Sequence, residues 1–189
     1  EFDRVELEVE RLNTMIGRLL TYAQMDAGHA ASTSVTVDMR ELLGDVVADS
    51  MIEAESGDKH IELTASDPCL VEGDRELLGS SVENVLRHAV RHAPAQSTER
   101  ATLSVPTSAK YCLLRVEDLG CGVAEDELQH IFDPFYRTDP ARHPQFGGSG
   151  IGLAIAQKSI ELHKGQISAK NAPEGGLVVD ILLPLATSG

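Results

Sequence analysis

Two groups of glycines in this sequence have the composition expected for the walls of a nucleotide pocket. The first is Asp118-Leu119-Gly120-Cys121-Gly122, in which an acidic residue follows an apolar run, and the second lies at residues 147–152. Glycine adopts positive φ and lets the backbone approach a ligand closely. Two glycine groups that flank one loop therefore predict two walls of a single pocket.

The residues around the glycines suggest what each wall would contact. A carboxylate at a strand end, such as Asp118, can accept a hydrogen bond from an exocyclic amine, although Asp-x-Gly-x-Gly is also a common tight turn. Gly148, Gly150 and Gly152 lead into a predicted helix at residues 151–163, whose N-terminal N–H groups and positive dipole end would bind an anion. The alternative is a loop that is rich in glycine only for flexibility.

A predicted helix over residues 74–93 supplies a third candidate wall. At ~100° per residue, Asn84, His88 and Arg91 share one face, with His92 at its edge, and the apolar residues occupy the other side. One face is therefore predicted to be core. The polar face could contact a metal and a phosphate chain, or it could simply be solvated.

Composition limits the class of protein. The 189 residues are 42% apolar and carry a formal net charge of −14, which predicts a folded core and argues against nucleic-acid binding. Three cysteines without C-x-x-C spacing predict neither a disulfide framework nor a zinc site, and favour a reducing compartment. No apolar run approaches the ~20 residues of a membrane helix. Because the sequence starts without methionine, we interpret it as a fragment.

The N-terminal segment has the heptad pattern of a helix that packs along another helix. Its apolar residues recur at alternating steps of four and three, namely Val5, Val9, Leu12, Ile16, Leu19 and Ala23. We favour a bundle or dimer helix over residues 1–28, followed by a hinge at 29–34. The alternative is an amphipathic helix that docks on its own domain.

Residues 35–186 form the second predicted domain. Strands are predicted at 34–37, 60–65, 69–71, 101–105, 111–117, 166–169 and 177–183, and helices at 38–55, 74–93 and 151–163. They alternate without a regular βαβ rhythm. The predicted fold is therefore α+β, a two-layer α/β sandwich with a mixed sheet and helices on one face.

Together, the motifs resemble those of sensor histidine kinases. The helix from Asn84 to His92, Asp118-x-Gly-x-Gly, Phe132-Asp133-Pro134-Phe135 and Gly148-x-Gly-x-Gly stand in the order of the family's N box, first glycine box, F box and second glycine box. The ATP-binding domain of this family shares its fold with DNA gyrase and the MutL proteins. The N-terminal helix resembles the second helix of the dimerisation hairpin, and residues 135–139 and 183–185 resemble the Cpx-type envelope-stress sensor kinases most closely.

The resemblance implies a role for each matching residue. Asp118 would bind the adenine amine of ATP or ADP, with Gly120 and Gly122 lining the base pocket and His92 beside the nucleotide. Asn84 would contact the phosphates or Mg²⁺, and Arg91 and Arg137 would reach the phosphates. The second glycine box would add Gly148, Gly150, Gly152 and Leu153. Phe132 and Phe135 would anchor a lid over residues 138–146, and the alternative for these two rings, ordinary core packing, is compatible with that role.

Two departures from the family pattern bear on metal use and on the phosphoacceptor. His88 stands where the family has an asparagine that binds Mg²⁺, and imidazole suits zinc, copper, iron or nickel better than magnesium. We therefore expect weakened metal use, or direct donation from His88 to a phosphate. Moreover, none of the seven histidines is followed by the acidic residue that marks the phosphoacceptor, so the acceptor would lie outside this sequence.

Three functions remain open. A histidine kinase would act as a homodimer, phosphorylate its own acceptor helix and pass the phosphate to a response regulator, as the cytoplasmic portion of an inner-membrane protein. A degenerate kinase would only bind nucleotide and signal by conformation. A gyrase-like ATPase is disfavoured, because the position of its glutamate base is Asn84, and Glu83 lies off that face.

Overall fold

The computed structural model describes residues 2–27, 34–65, 68–104, 110–138 and 149–186. Its elements, in chain order, are α1 (Phe2–Asp26), β1 (Val35–Asp38), α2 (Met39–Ser56), β2 (His60–Ala65), β3 (Leu70–Gly73), α3 (Arg75–His92), β4 (Thr98–Ser104), β5 (Tyr111–Glu117), α4 (Gly152–Leu162), β6 (Gln166–Asn171) and β7 (Leu177–Pro184). The helices and strands lie close to their predicted bounds, and the predicted α+β class is confirmed.

A mixed sheet of five strands forms one layer, in the order β2-β4-β5-β7-β6. β2 and β4 are parallel, and the other neighbours, including β4 and β5, are antiparallel. β1 and β3 instead pair with each other as a separate two-stranded sheet. β1 is only four residues long because its last residue, Asp38, is already the N-cap of α2 and accepts a hydrogen bond from the Arg40 amide.

Helix α3 lies between the sheet and the solvent and positions the polar face predicted from sequence. Its N-cap, Asp74, accepts hydrogen bonds from the backbone N–H groups of Glu76 and Leu77, and Pro94 follows its C-cap. The buried side of α3 carries Leu78, Val82, Val85, Leu86, Ala89 and Val90, which belong to the same core cluster as Leu103, Leu114 and Val116 of the sheet. This packing holds the opposite, polar side of α3 in one orientation.

Helix α1 packs on α4 near its C-terminal end. Met25 is 2% exposed and forms a small cluster with Ile151 and Ile155, and Asp26 pairs with Lys158 at 2.7 Å. Through these contacts α1 docks on its own domain. The apolar residues of the predicted heptad seam lie on another face of α1 and are exposed. The predicted hinge at 29–34 lies outside the described residues except for Ser34. No helix in the described part of the chain is long and apolar enough to cross a membrane.

The cysteines differ from the sequence-based expectation. Cys69 and Cys112 form a disulfide, with their Cα atoms 6.3 Å apart, although the odd cysteine count predicted none. The fold brings the residue before β3 next to the start of β5, and this neighbourhood could not be seen in the spacing. Both cysteines are buried, while Cys121 is exposed and outside the disulfide. The cysteine count therefore gives no support to a reducing compartment.

Candidate nucleotide site

The polar face of α3 forms the first wall of a cavity. The Asn84 side chain is 9% exposed, and its Nδ2 donates to the Ser80 carbonyl at 2.8 Å. This hydrogen bond leaves the Asn84 Oδ1 atom directed toward Gly152, because a Cβ added at that glycine would lie 3.1 Å from Oδ1. The rings of His88 and His92, one turn apart, have centroids 4.4 Å apart. An amide and two imidazoles therefore stand in a row along the wall.

His88 is uncharged at neutral pH. Burial lowers the pKa of its imidazole to about 3, and the neighbouring His92 and Arg91 contribute to the decrease. A neutral imidazole has one N–H donor and one acceptor nitrogen. His88 can thus donate a hydrogen bond to a phosphate oxygen, but it brings no positive charge to the cavity.

Asp118 forms the second wall, directly after β5. Its carboxylate oxygen Oδ1 accepts hydrogen bonds from the backbone N–H groups of Gly120 at 2.8 Å and Leu177 at 3.1 Å. The side chain is 3% exposed. Burial raises the pKa of Asp118 above its ordinary value, Glu99 and Glu117 contribute to the rise, and the two amides oppose it. Two backbone donors thus fix the carboxylate beside the cavity, where it can accept from a ligand.

At two positions of the first glycine box, neighbouring atoms lie too close for any side chain larger than that of glycine. Gly122 has φ +70, and a Cβ there would lie 2.7 Å from Asn171 Oδ1. At Gly120, a Cβ would lie 2.8 Å from the His92 carbonyl oxygen. The chain therefore passes tightly between α3 and the β6–β7 turn, which keeps the space in front of Asp118 open for a flat group.

The N-terminus of α4 forms the third wall. Gly150 has φ +68, and Gly152 begins the helix. The N-cap residue, Ile151, makes no side-chain capping hydrogen bond, and the first N–H groups of the helix and the positive end of its dipole can serve an anion. The buried Ser149 Oγ has no hydrogen-bond partner among the described residues. A hydroxyl and a helix N-terminus together suit a phosphate, and we call this third wall, formed by Ser149 and the N-terminus of α4, the phosphate wall.

The three walls enclose one cavity of about 150 Å³. The structure brings most of the predicted site residues to its surface, which are Asn84, His88, Arg91, His92, Asp118, Gly120, Gly122, Arg137, Gly150, Gly152 and Leu153. Phe132 is buried in the hydrophobic core, which is compatible with its predicted role as a lid anchor, and Phe135 is 52% exposed. Gly148 and all of the predicted lid except Thr138 lie outside the described residues.

Sequence reasoning missed several cavity residues. They are Arg18, Arg87, Cys121, Val123, Ile131, Tyr136, Ser149 and Leu177. Most are neighbours of predicted residues in the glycine boxes or the F box, so the motif spacing could have found them. Arg18 comes from α1, 66 residues before Asn84, and no local pattern links the two.

The donor set of the cavity fits magnesium only in part. Asn84 offers an amide oxygen, which Mg²⁺ accepts, whereas the His88 imidazole is a poor ligand for this ion. Asp118 is the one carboxylate among the described lining residues, and it sits at the opposite wall. Within the described part of the chain, no group of three or more histidine, cysteine, aspartate or glutamate side chains is arranged to hold a metal.

Comparison with protein families gives a match over the region that contains the cavity. The family described as "Histidine kinase-, DNA gyrase B-, and HSP90-like ATPase" matches residues 73–187. These residues include α3, both glycine boxes and the whole five-stranded sheet except β2.

Curated relatives include sensor kinases. Sensor histidine kinase CpxA of Escherichia coli is 34% identical over 186 residues, which are 98% of this chain and 40% of that protein. The protein of the same name from Klebsiella pneumoniae is 36% identical over the same share of each chain. The present chain thus spans about 40% of the length of these relatives.

Solved structures show the same architecture. The mycobacterial sensor histidine kinase MprB is 26% identical, with a TM-score of 0.72 over 82% of this chain and 100% of that one. Full-length ShkA in complex with AMPPNP has a TM-score of 0.82 over 95% of this chain and 37% of that one, at 24% identity. The second likeness concerns the fold alone.

Proposed function

Because the chain belongs to the family of histidine kinase-, DNA gyrase B- and HSP90-like ATPases, we propose that it is the ATP-binding catalytic region of a two-component sensor histidine kinase. It would transfer the γ-phosphoryl group of ATP to a histidine on a dimerisation helix outside these residues. The observation that carries this proposal is the convergence of Asp118, Asn84 and the N-terminus of α4 on one cavity.

The cavity suggests how ATP would lie. The adenine amine would donate to Asp118, in the space kept open by Gly120 and Gly122. The phosphates would extend toward Asn84, Arg91 and the first turn of α4, with Gly150, Gly152 and Leu153 beneath them, and Arg137 would reach the γ-phosphate. His92 would lie beside the nucleotide. The nucleotide would be covered by Gly148 of the second glycine box and by the lid at residues 138–146.

Catalysis at such a site depends on positioning and charge stabilisation. In phosphoryl transfer the charge is spread over the phosphoryl oxygens, so guanidinium groups and helix N–H groups aimed at those oxygens lower the barrier. Mg²⁺, when bound with the nucleotide, would neutralise part of the same charge. Asn84 would hold it, and His88 would hold it poorly. We therefore propose a kinase whose use of magnesium is weaker than that of a site with two amide ligands.

The partners follow from the same proposal. The kinase would act as a homodimer through its dimerisation helices, transfer the phosphate to an aspartate of a response regulator, and form the cytoplasmic portion of an inner-membrane sensor. The net charge of −14 supports the absence of nucleic acid among its partners.

Transfer of radiolabel from ATP to a separately supplied acceptor hairpin tests the function. Labelled hairpin is expected, and a hairpin with glutamine in place of the acceptor histidine is the matched control. Release of free phosphate without labelled hairpin would instead indicate an ATPase. Nucleotide binding with neither product would indicate a regulatory module, the second candidate, which the neutral His88 beside the phosphate wall favours.

A further inference from the structure

Helix α1 presents one continuous face to the catalytic domain. Arg18, Tyr22 and Met25 stand at helical spacing of four and three residues, so they share that face. Tyr22 and Met25 pack with Ile151 and Ile155 of the α4 segment. Arg18 is partly buried, whereas Gly17, Leu19 and Leu20 beside it are exposed. The Arg18 side chain is therefore held toward the domain.

On this face, Arg18 lies beside the phosphate wall of the cavity. Ile151, in contact with α1, immediately precedes the helix start at Gly152, and Arg18 lies one helical turn before Tyr22. Consistent with this register, Arg18 lines the cavity together with Gly150 and Gly152. A guanidinium from α1 and the N-terminus of α4 thus border the same space.

The charges of the cavity suit a polyanion. Four arginines line it, Arg18, Arg87, Arg91 and Arg137, against the single carboxylate of Asp118 among the described lining residues. This concentration of positive charge contrasts with a chain that has 16 basic and 30 acidic residues. Arg87 is paired with Glu83, and His88 adds no charge at neutral pH.

We propose that Arg18 is a polyphosphate-binding residue of the nucleotide site, contributed by the helix that precedes the catalytic domain. The inference rests on the proposed function and extends it. Guanidinium groups bind phosphate oxygens through charge-assisted, often bidentate hydrogen bonds. Because Arg18 belongs to α1, a nucleotide that it contacts also holds α1 against α4, and by reciprocity a docked α1 raises nucleotide affinity.

Calorimetric titration with ATP and with adenosine tests the contact. Arg18→Met keeps the apolar stem and removes the charge, so ATP affinity should fall by roughly tenfold while adenosine affinity stays unchanged. Arg18→Lys should restore part of the loss. The matched control is Arg40→Met, an exposed arginine of α2 that does not line the cavity, and it should bind both ligands like the unchanged protein.

Hydrogen exchange supplies an independent readout. ATP should slow exchange of the amides of residues 18–26 in the unchanged protein more than in Arg18→Met. Equal ATP affinity in the two proteins, or a parallel loss of ATP and adenosine affinity in Arg18→Met, would overturn the proposal. If the unchanged protein bound neither ATP nor ADP, the proposed function itself would fail, and the inference with it.

Discussion

The backbone N–H of Phe135 donates to the carbonyl of Gly150 at 2.9 Å. Both residues have positive φ, 66° and 68°, a conformation that is unfavourable for Phe135 and freely available to Gly150. This bond joins the F box to the second glycine box, which lie on either side of the predicted lid at 138–146. Phe135 and Gly150 are thus held next to each other beside the phosphate wall.

Replacement of Gly150 should disrupt this junction. A Cβ at residue 150 would lie 2.9 Å from the Phe135 carbonyl carbon and from the Tyr136 oxygen, at a positive φ. We expect Gly150→Ala to lower the free energy of unfolding by about 1–3 kcal/mol and to weaken ATP binding. Chemical denaturation and calorimetry measure the two effects.

Gly44→Ala in α2 is the matched control for Gly150→Ala. Nothing lies within 4 Å of a Cβ added at Gly44, so alanine should stabilise the helix by about 0.5–1 kcal/mol. A Gly150→Ala protein as stable as the original, with the same ATP affinity, would show that the Phe135–Gly150 junction tolerates a side chain.

Local pattern predicts most of this fold because its elements are strongly periodic. The helical spacing of apolar residues in α3 and their alternation in β5 predict which side chains are buried. Asp118 and the glycines lie at the ends of these elements, where the apolar pattern stops. The family resemblance drawn from the four boxes is confirmed by the match over residues 73–187. These features depend on residues that are near one another in the chain.

The parts that escape prediction depend on contacts between distant residues. Cys69 meets Cys112 across 43 positions, and Arg18 reaches the cavity only because Tyr22 and Met25 dock on α4. The F box predicts a lid anchor at Phe132, a role with which ordinary core packing is compatible, and packing places its ring in the hydrophobic core. A side chain's direction at a loop is set by packing that no local spacing encodes.

Asp118→Asn should weaken ATP binding by roughly tenfold or more, because an uncharged amide replaces the charged group that we propose as the acceptor for the adenine amine. Glu117→Gln, the adjacent residue outside the cavity lining, is the matched control and should leave affinity unchanged. Since burial raises the pKa of Asp118, the acid form accumulates as the pH falls toward that raised value. ATP affinity should therefore decrease on acidification in the original protein and much less in Asp118→Asn.

His88 should make the fold sensitive to mild acid. Its pKa is about 3 in the folded protein against an ordinary value of 6.5, so the unfolded chain binds the proton first and stability falls as the pH drops below 6.5. At pH 5 this linkage amounts to about 2 kcal/mol. Denaturation of the original protein and of His88→Asn at pH 7 and pH 5 should show a smaller loss in the variant. Equal losses would mean that His88 is accessible to protons in the folded state.

Magnesium should increase the ATP affinity of a variant with an amide at position 88 more than it increases that of the original protein. His88→Asn replaces an imidazole by an oxygen ligand that Mg²⁺ prefers, so the ratio of ATP affinity with magnesium to that with a chelator should increase. His92→Asn is the matched control, since it changes the neighbouring imidazole one turn away. The same ratio in the original protein and in His88→Asn would contradict weakened metal use by His88.

The apolar seam of α1 should cause self-association. Val9, Leu12, Ile16 and Leu19 are 50, 50, 61 and 45% exposed. At ~100° per residue, this seam lies more than a quarter turn from the Arg18, Tyr22 and Met25 face, so α1 can dock on α4 and pair with a second helix at once. Burying one such side chain stabilises an interface by about 1.5–3 kcal/mol, so several residues from each protomer suffice for association at micromolar concentration.

Light scattering across a concentration series measures this association, with a dimer as the expected species. Ile16→Glu places a charge in the seam and should give a monomer, while Arg18 and its cavity contact stay in place. Ile52→Glu in α2 is the matched control, because Ile52 is even more exposed, at 75%, but lies outside the seam. If both variants stayed dimeric, the dimer would use another surface; if both became monomeric, general hydrophobicity and not the α1 seam would drive association.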